Sequence, residues 1–262
     1  MSLIEGKVSP DTQMHSLADA PRASSGSKRL IGGREIELAS DPLVFQPTLT
    51  TALLADQVLA AGVDMRTVLD LGCGSGPIAI TLALAGAHHV YATDMMSRAC
   101  ELARRNASLN DVATKITVLE GNLFEPVQHL KFDLIVDDVS GVAEEVARMS
   151  SWFPPDVPLG GFDGTVLTIE MLNQSEQHLA RGGHLFFPVL SLSNSAKILS
   201  VAKEIYGDRL TRVASRLIPF NQELKNNLGS LLRLRDLGVI QFQQSRSRLL
   251  WSLDIYRADA LE

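Results

Sequence analysis

The segment TVLDLGCGSGPIAI, residues 67–80, determines the fold that we expect for the chain. Val68-Leu69-Asp70-Leu71 is a short apolar run with one carboxylate, which is typical of a buried strand. Gly72-Cys73-Gly74-Ser75-Gly76 follows, and glycines let the backbone turn sharply and let a ligand approach it closely. Pro77 then opens a helical pattern, since proline suits the first position of a helix. A strand, a glycine turn and a helix are how an α/β sheet places a nucleotide at the carboxyl ends of its strands.

The spacing of the glycines indicates which kind of nucleotide ligand the turn is suited to bind. A dinucleotide fingerprint, G-x-G-x-x-G, would need its last glycine where Pro77 or Ala79 stands. The chain instead reads D-x-G-x-G-x-G, which resembles the first motif of the class I S-adenosylmethionine-dependent methyltransferases. The resemblance implies that S-adenosyl-L-methionine is the cofactor and that it is bound by Asp70, Gly72, Gly74 and Gly76.

Length and composition fit one α/β domain. The chain has 262 residues, of which 45% are hydrophobic and 21% charged. Two cysteines predict neither a disulfide framework nor a metal cluster. The sequence has no apolar run near the ~20 residues of a membrane span and no signal-peptide pattern at its start, so we expect a cytoplasmic protein without a membrane partner. The sequence does not determine the oligomeric state and is compatible with a homodimer.

The charge balance argues weakly against a nucleic-acid substrate. The formal net charge is −6, whereas a nucleic-acid binder normally has a basic face. Basic residues do collect late, at Arg233, Arg235, Arg246 and Arg248, but Asp236 and many neutral residues interrupt them. We interpret this cluster as a solvated surface.

The order of patterns along the chain predicts one domain with an appended arm. Residues 1–28 are rich in proline, serine and glycine without apolar periodicity, and we expect a mobile N-terminal arm or lid there. Residues 29–262 are expected to form the methyltransferase domain. Within it we expect an N-terminal hairpin and helix (29–62), a cofactor-binding core (63–206), and a C-terminal helix with closing strands (207–262).

The stretch before the core strand carries a second resemblance. A hairpin is expected around Gly32-Gly33, and a helix over residues 50–61 with Thr50 or Thr51 as its N-cap. Residues 47–54 resemble the P-x-x-D-T-x-L-L segment of the glutamine methyltransferases that act on release factors, although Thr50 stands where that family has Asp. In that family the segment packs against the cofactor, which implies a cofactor contact for Thr51; a helix cap without ligand contact is the alternative.

Two further strand ends supply candidate cofactor contacts. The strand 89–94 ends in Asp94, which follows Gly76 by 18 residues, about the distance at which an acidic residue binds ribose hydroxyls. Met95 could cover an adenine face, although core packing explains it nearly as well. Gly121-Asn122-Leu123-Phe124 stands where the resembled family has G-D-L-F, whose acidic residue and following backbone N–H bind adenine. The Asn122 amide oxygen can still accept that bond, with Leu123 supplying the N–H.

The next strand ends in the main departure from the resembled family. Asp137-Asp138-Val139-Ser140-Gly141 stands where that family has N-P-P-Y, whose asparagine and backbone carbonyl orient a planar amide. Asp138 or Asp137 is therefore a candidate general base, or an acceptor that orients a hydroxyl or ammonium group. Asp138 also counts among the residues that we expect at the cofactor. A loop of solvated acids that caps a helix is the alternative.

The remaining patterns complete the predicted sheet. Residues 158–164 resemble the L-G-G-x-D-G turn of the same family. Helices are expected over residues 165–180, 195–206 and 222–237, the first ended by Gly182-Gly183. Strands are expected over residues 184–189, 209–217 and 248–256. The predicted fold is α/β, a Rossmann-like, mostly parallel sheet of seven strands with helices on both faces and an antiparallel last strand.

We therefore expect a methyltransferase whose acceptor is a small molecule, such as an amino acid or a secondary metabolite. The loss of N-P-P-Y and the acidic charge balance support this choice. One alternative uses S-adenosylmethionine itself as substrate, for example by a cyclisation that releases methylthioadenosine. Others are a protein or RNA methyltransferase and a module that binds the cofactor without turnover.

Overall fold

The computed structural model describes residues 26–261. The predicted N-terminal arm lies outside the described residues except for its last three, of which Ser27 and Lys28 belong to the first strand. The strands are, in chain order, β1 (Ser27–Ile31), β2 (Arg34–Leu38), β3 (Thr67–Leu71), β4 (His89–Asp94), β5 (Ile116–Glu120), β6 (Phe132–Asp137), β7 (Leu179–Leu190), β8 (Leu210–Pro219), β9 (Gln243–Ser245) and β10 (Arg248–Asp259).

The helices lie mainly between these strands. They are α1 (Leu49–Ala60), α2 (Pro77–Leu84), α3 (Ser97–Leu109), α4 (Glu144–Arg148), α5 (Val166–His178), α6 (Ser195–Tyr206), α7 (Gln222–Asn226) and α8 (Leu228–Asp236). Short 3-10 helices occur at Ala113–Lys115, Glu125–Val127 and Gly207–Arg209. Strands that alternate with helices favour parallel pairing, because each crossover helix returns the chain to the same end of the sheet.

The central sheet has the order β5-β4-β3-β6-β7-β10-β8, with β9 paired to one end of β10. The pairs from β5 to β7 are parallel, and β10 is antiparallel to both β7 and β8. This confirms the predicted mostly parallel sheet with an antiparallel last strand. The chain reverses its direction of travel between β3 and β6, and ligands of open α/β sheets bind at such a point.

Alternating side chains of the sheet fill two cores, one on each face. Val68 and Val136 belong to the core covered by α1, α2, α3 and α8. Leu69 and Ile135 belong to the core covered by α5 and α6. A strand that is buried on both faces reads as a continuous apolar run, which is why β3 was recognisable in the sequence.

The first two strands form the expected hairpin. β1 and β2 pair antiparallel through the turn Gly32-Gly33, where both residues have positive φ (58° and 67°). A two-residue turn of this kind needs positive φ at both central positions, which glycine adopts without strain.

The glycine stop predicted after α5 is wrong. The helix ends at His178, and β7 begins at the next residue and runs through Gly182-Gly183. The register between β6 and β7 shifts there, since Phe132 pairs with Leu179 but Leu134 pairs with His184. Gly182 has a φ of 68°, and a Cβ on Gly183 would lie 2.8 Å from a backbone oxygen of Phe132. These glycines therefore accommodate an irregularity in a strand.

The single helix predicted over residues 222–237 is divided into α7 and α8. The division falls at Asn227, whose φ and ψ are −108° and 26°. Its side-chain amide donates to the carbonyl oxygen of Glu223 at 2.9 Å. Asparagine side chains compete in this way with the helical backbone bonds, so the helix is interrupted at that residue.

A buried amide of α3 joins the glycine turn to the segment after β2. Asn106 is fully buried; its Oδ1 accepts from Ala39 N–H at 2.8 Å, and its Nδ2 donates to the carbonyls of Ser75 (2.9 Å) and Ala39 (3.2 Å). Buried backbone groups need such partners, because water cannot replace them.

We predict that Asn106→Ala lowers the free energy of unfolding by about 2–4 kcal/mol, since each buried polar group left without a partner costs ~1–3 kcal/mol. Chemical denaturation measures this change. Ser108→Ala, on the exposed side of the same helix, is the matched control and should change stability by less than about 0.5 kcal/mol. Equal effects of the two substitutions would contradict the structural role of Asn106.

Candidate active site

The glycine turn between β3 and α2 depends on three left-handed residues. Gly72, Gly74 and Gly76 have φ values of 66°, 53° and 84°. A Cβ on Gly72 would lie 2.8 Å from Val139 Cγ1, and a Cβ on Gly76 would lie 3.2 Å from Ala103 Cβ. Gly72 thus allows the loop after β6 to approach the turn, and Gly76 allows α3 to pack against it. Gly76 therefore acts in packing, and it does not line the cleft that opens beside the turn.

A cleft opens at the carboxyl ends of β3 to β7. Its empty volume is about 1100 Å³, including the part open to solvent. Sequence-predicted site residues that line it are Thr51, Gly72, Gly74, Asp94, Met95, Asn122, Leu123 and Asp138. Asp70, Gly76 and Asp137 lie outside its lining.

Asp70 lies beneath the turn. Its side chain is buried, and its Oδ2 accepts from Ala79 N–H in the first turn of α2 at 2.9 Å. Burial raises the pKa of Asp70 well above its ordinary value, and the bond from Ala79 opposes this rise. The structure therefore places Asp70 where it supports the start of α2, with no face toward the cleft.

Asp94 joins the end of β4 to the turn. Its Oδ2 accepts from Gly74 N–H and its Oδ1 from Met96 N–H, both at 2.9 Å. Burial raises the pKa of Asp94, and these two backbone donors act in the opposite direction. Each carboxylate oxygen has a second lone pair, so Asp94 can still accept bonds from a ligand in the cleft. Met95 lies next to it and is 49% exposed.

Asn122 and Leu123 form the wall after β5. The Asn122 Nδ2 donates to Glu170 Oε1 at 3.2 Å, which leaves the amide oxygen as an acceptor. The carbonyl of Leu123 accepts from Thr93 Oγ1 at 3.1 Å, and Leu123 has a left-handed φ of 43°. A strained backbone of this kind persists only where its surroundings hold it in place.

The two carboxylates after β6 have different environments. Asp137 is buried opposite Leu71 with no side-chain partner among the described residues, and burial raises its pKa well above the ordinary value. Asp138 lines the cleft, and its Oδ2 accepts from Thr51 Oγ1 at 2.7 Å. Burial raises the pKa of Asp138 to about 7, against the opposing effect of the Thr51 bond. Successive strand residues face opposite ways, so only Asp138 can meet a ligand here.

The N-cap predicted for α1 is wrong. The cap is Thr48, whose side chain accepts from Thr50 N–H at 3.1 Å. Thr51 Oγ1 accepts from Thr48 N–H at 3.1 Å and donates to Asp138. Thr51 is thus both part of the capping box and a partner of the cleft carboxylate. Ser97 is a candidate N-cap of α3 by its residue type, but the structure places Met96 at the cap, and Met96 N–H donates to Asp94.

Sequence reasoning missed the apolar wall of the cleft near Asp138. Phe45 and Phe153 both line it, with ring centroids 5.0 Å apart. Pro188 and Leu190 at the end of β7 complete this wall. Phe153 belongs to the aromatic and proline-rich stretch Trp152-Phe153-Pro154-Pro155, whose composition suits a pocket wall, but the two rings lie 108 positions apart in the chain, so their contact could not be predicted.

Residues 26–261 contain neither a candidate metal site nor a candidate membrane-spanning helix. No group of three or more histidine, cysteine, aspartate or glutamate side chains is placed to hold a metal ion within that range. Nor does any helix there have the length and apolar character needed to cross a membrane.

Comparison with known proteins supports the fold. Residues 48–153 match the family described as "Ribosomal protein L11 methyltransferase (PrmA)". A release factor glutamine methyltransferase of Geobacter sulfurreducens is 31% identical over 160 residues, which cover 57% of this chain and 54% of that protein. A ribosomal protein L11 methyltransferase of Carboxydothermus hydrogenoformans is 35% identical over 99 residues, which cover 38% of this chain and 32% of that protein. The chain spans about half the length of the first relative and about a third of the second.

A solved structure shares the fold over nearly the whole chain. It is a 16S rRNA methyltransferase of T. thermophilus in complex with AdoMet and guanosine, with a TM-score of 0.59 and 18% identity. The similarity covers 92% of this chain and 51% of that one.

These similarities correct the expected acceptor. The two relatives are named for protein substrates, and the solved structure is named for an RNA substrate. The expectation of a small-molecule acceptor, with nucleic acid disfavoured as a partner, is therefore wrong, and the similarities support the alternative of a protein or RNA methyltransferase. The predicted resemblance to S-adenosylmethionine-dependent methyltransferases is confirmed, and AdoMet, the expected cofactor, is bound in the solved structure. The chain therefore contains a region, residues 48–153, that is similar to the ribosomal protein L11 methyltransferases, and it shares its fold with the solved rRNA methyltransferase.

Proposed function

We propose that the protein transfers a methyl group from S-adenosylmethionine to an amino group of a protein. The observation that carries this proposal is Asp138, a cleft carboxylate with a pKa of about 7 that stands where amide methyltransferases have the asparagine of N-P-P-Y. An amine that carries a proton must lose it before it can attack, whereas a planar amide needs orientation instead. A carboxylate with a pKa near neutrality suits that proton transfer.

The cleft residues fit the cofactor. Gly74 needs its left-handed backbone, and a Cβ there would have only the Phe45 carbonyl oxygen nearby, at 3.6 Å, so the glycine leaves room over the turn. The Asp94 carboxylate is suited to ribose hydroxyls and the Asn122 amide oxygen to the adenine amino group. Met95, at 49% exposure, is available to cover the adenine face. Thr51, Gly72 and Leu123 complete the proposed contacts.

The chain's own residues contribute positioning and proton transfer. When bound, S-adenosylmethionine supplies a methyl group made electrophilic by its sulfonium. Thr51 occupies Oδ2 of Asp138, which leaves Oδ1 to accept a hydrogen bond and then the proton from the acceptor amine. The apolar wall of Phe45, Phe153 and Leu190 keeps water from that amine. Holding the two reactants in line can contribute about 7–11 kcal/mol to lowering the barrier.

The choice of a protein acceptor rests on the named substrates of the two relatives. Ribosomal protein L11 and a release factor are therefore the first acceptors to test. The departure from N-P-P-Y favours an amine over the glutamine amide, because Val139 and Ser140 cannot supply the proline backbone that frames a planar amide.

The test is methyl transfer to each purified protein, with mass spectrometry to locate the modified nitrogen. We expect methylation of an amino group, and we expect Asp138→Asn to lower kcat by about 10²-fold or more, the usual contribution of a general base. Cofactor affinity of that variant should change far less, and Glu120→Gln, at the exposed end of β5, is the control. Methylation of RNA alone, of a glutamine amide, or formation of methylthioadenosine without an acceptor would each refute the proposal.

A second prediction concerns cofactor binding. Asp94→Ala should weaken S-adenosylmethionine binding by about 10–100-fold, because hydrogen bonds to a charged group are worth ~1.5–3 kcal/mol. Calorimetric titration measures the affinity. Since Asp94 also holds Gly74 and Met96, thermal unfolding must be followed in parallel. Glu120→Ala, exposed at the end of β5, is the matched control, and unchanged affinity in Asp94→Ala would remove Asp94 from the site.

A third prediction follows from the Thr51–Asp138 bond. Burial and the Thr51 hydroxyl act on the pKa of Asp138, and the Asp138 charge in turn raises the pKa values of the neighbouring Asp70 and Asp137. The proposed base must be ionised, so kcat/KM should fall as pH drops through about 7. Thr51→Val removes a donor that stabilises the ionised form, and the fall should therefore begin at higher pH, by about one pH unit.

Two control variants separate this effect from helix stability. Thr51→Ser keeps the hydroxyl and should keep the wild-type pH profile. Thr48→Ala removes the cap that holds Thr50 N–H but leaves the bond to Asp138, so it should lower stability without moving the profile. A profile that moves equally in Thr48→Ala and Thr51→Val would show that Thr51 acts only through the helix.

A further inference from the structure

The hairpin formed by β9 and the start of β10 carries basic side chains without acidic partners. Arg246 occupies its turn with a left-handed φ of 55°, and Arg248 opens β10 opposite Ser245. Both arginines are exposed, and neither forms an ion pair with a carboxylate of the described residues. Residues 237–253 contain no aspartate or glutamate. The hairpin is therefore a local positive surface on a chain whose net charge is −6.

The structure divides the basic cluster that the sequence suggested. Arg233 pairs with Glu145, and Arg235 pairs with Asp236 and lies over the ring of Phe242. These two arginines are already neutralised within the molecule. Arg246 and Arg248 have no such partner in the described part of the chain, so their charge is available to another molecule.

The sheet topology places the hairpin at the mouth of the cleft. β10 is antiparallel to β7, and Leu253 pairs with Leu190, which lines the cleft at the carboxyl end of β7. Arg248 precedes Leu253 by five residues and so extends about 17 Å further in the same direction, at ~3.4 Å per residue. The hairpin thus projects beyond the edge of the sheet at which Asp138 lies.

Neighbouring side chains connect the hairpin base to the cleft. Trp251 packs against Trp152 with ring centroids 6.2 Å apart, and the adjacent Phe153 lines the cleft. Arg216 of β8 pairs in register with Leu253 and is exposed, and its side chain hydrogen-bonds, among residues 26–261, only to the backbone oxygen of Ser215, at 3.5 Å. It adds a third positive charge level with the cleft wall.

We propose that Arg216, Arg246 and Arg248 form a docking surface for an acidic segment of the acceptor protein, next to the amine that is methylated. This proposal rests on the proposed function. Three arginines, each able to hold a carboxylate through two parallel hydrogen bonds, match a short run of aspartate or glutamate. Gln243, Gln244 and Ser245 supply neutral hydrogen-bonding groups beside them.

The local character of the charge favours an acidic protein segment over RNA. A nucleic-acid chain presents phosphates along its whole length and needs a basic stripe or face to follow. Here the three arginines belong to one short hairpin and to the adjacent end of β8, which is shorter than such a stripe. A protein segment with a few carboxylates matches so small a group of arginines.

The experiment compares two charge-reversal variants at the two ends of the sheet. The test variant combines Arg246→Glu with Arg248→Glu. The control combines Arg181→Glu with Lys203→Glu, which are exposed near the amino end of β7 and in the last turn of α6 and change the net charge equally. Binding of L11 and of a release factor is followed by fluorescence anisotropy, which requires no methyl transfer, with a glutamate-rich peptide as competitor and an oligoribonucleotide as the alternative ligand.

We expect the hairpin variant to bind the protein acceptor at least about tenfold more weakly at low salt, with a smaller difference at high salt, because rim charges act mainly through salt-sensitive attraction. The control variant should bind like the wild type, and S-adenosylmethionine affinity should be unchanged in both. The glutamate-rich peptide should displace the acceptor protein from the wild type and from the control variant, but not from the hairpin variant.

Three outcomes would overturn the docking proposal. They are no binding of either protein by the wild type, equal binding by both variants, or loss of oligoribonucleotide binding alone in the hairpin variant. A failure of the proposed function looks different, since it appears as binding of an acceptor without methyl transfer to an amine.

Discussion

The site depends on backbone N–H groups that carboxylates hold in place. Gly74 N–H and Met96 N–H both bind Asp94, and Cys73 N–H binds the carbonyl oxygen of Thr93 at 2.9 Å. These bonds tie the turn after β3 to the end of β4, and the shape of the cleft follows from that connection. A site whose polar groups are already in place loses less entropy when a ligand binds. The same carboxylate can thus serve the architecture and the ligand.

Much of the fold could be predicted because its signals are local. The apolar run of β3, the glycines after it and Pro77 are contiguous, and the ends of β4, β5 and β6 carry polar residues in sequence order. Parallel strands bring those ends to one edge of the sheet, so Asp94, Asn122 and Asp138 could be assigned to one cleft without knowledge of distances. The glycines at 182 and 183 misled the prediction, because a bulge and a helix stop use the same left-handed backbone.

The other features could not be predicted from the sequence. Some depend on contacts between residues that are far apart in the chain, and the local positive charge is hidden by the net charge of the whole chain. Thr51 and Asp138 are 87 positions apart, and no pattern in either segment indicates their bond. Asp137 and Asp138 look equivalent in sequence, yet the strand buries one and turns the other to the cleft. The net charge of −6 argued weakly against a nucleic-acid substrate, although it averages over a hairpin whose charged side chains are all positive. The altered N-P-P-Y motif indicates that a planar amide is not oriented at this site. It does not identify the molecule that would dock at the basic hairpin outside the cleft.

The position of β10 has a consequence for how the chain folds. Among the strands of residues 26–261, β8 pairs only with β10, which lies between β7 and β8 although it follows both in sequence. During synthesis, the parallel strands and the cleft can assemble while β8 still lacks its partner and exposes the edge of a strand. Such edges favour pairing between chains, and domains made on the ribosome are most vulnerable while they remain open. Insertion of β10 between β7 and β8 would therefore be a late step of folding. That one step would complete the sheet and position the basic hairpin.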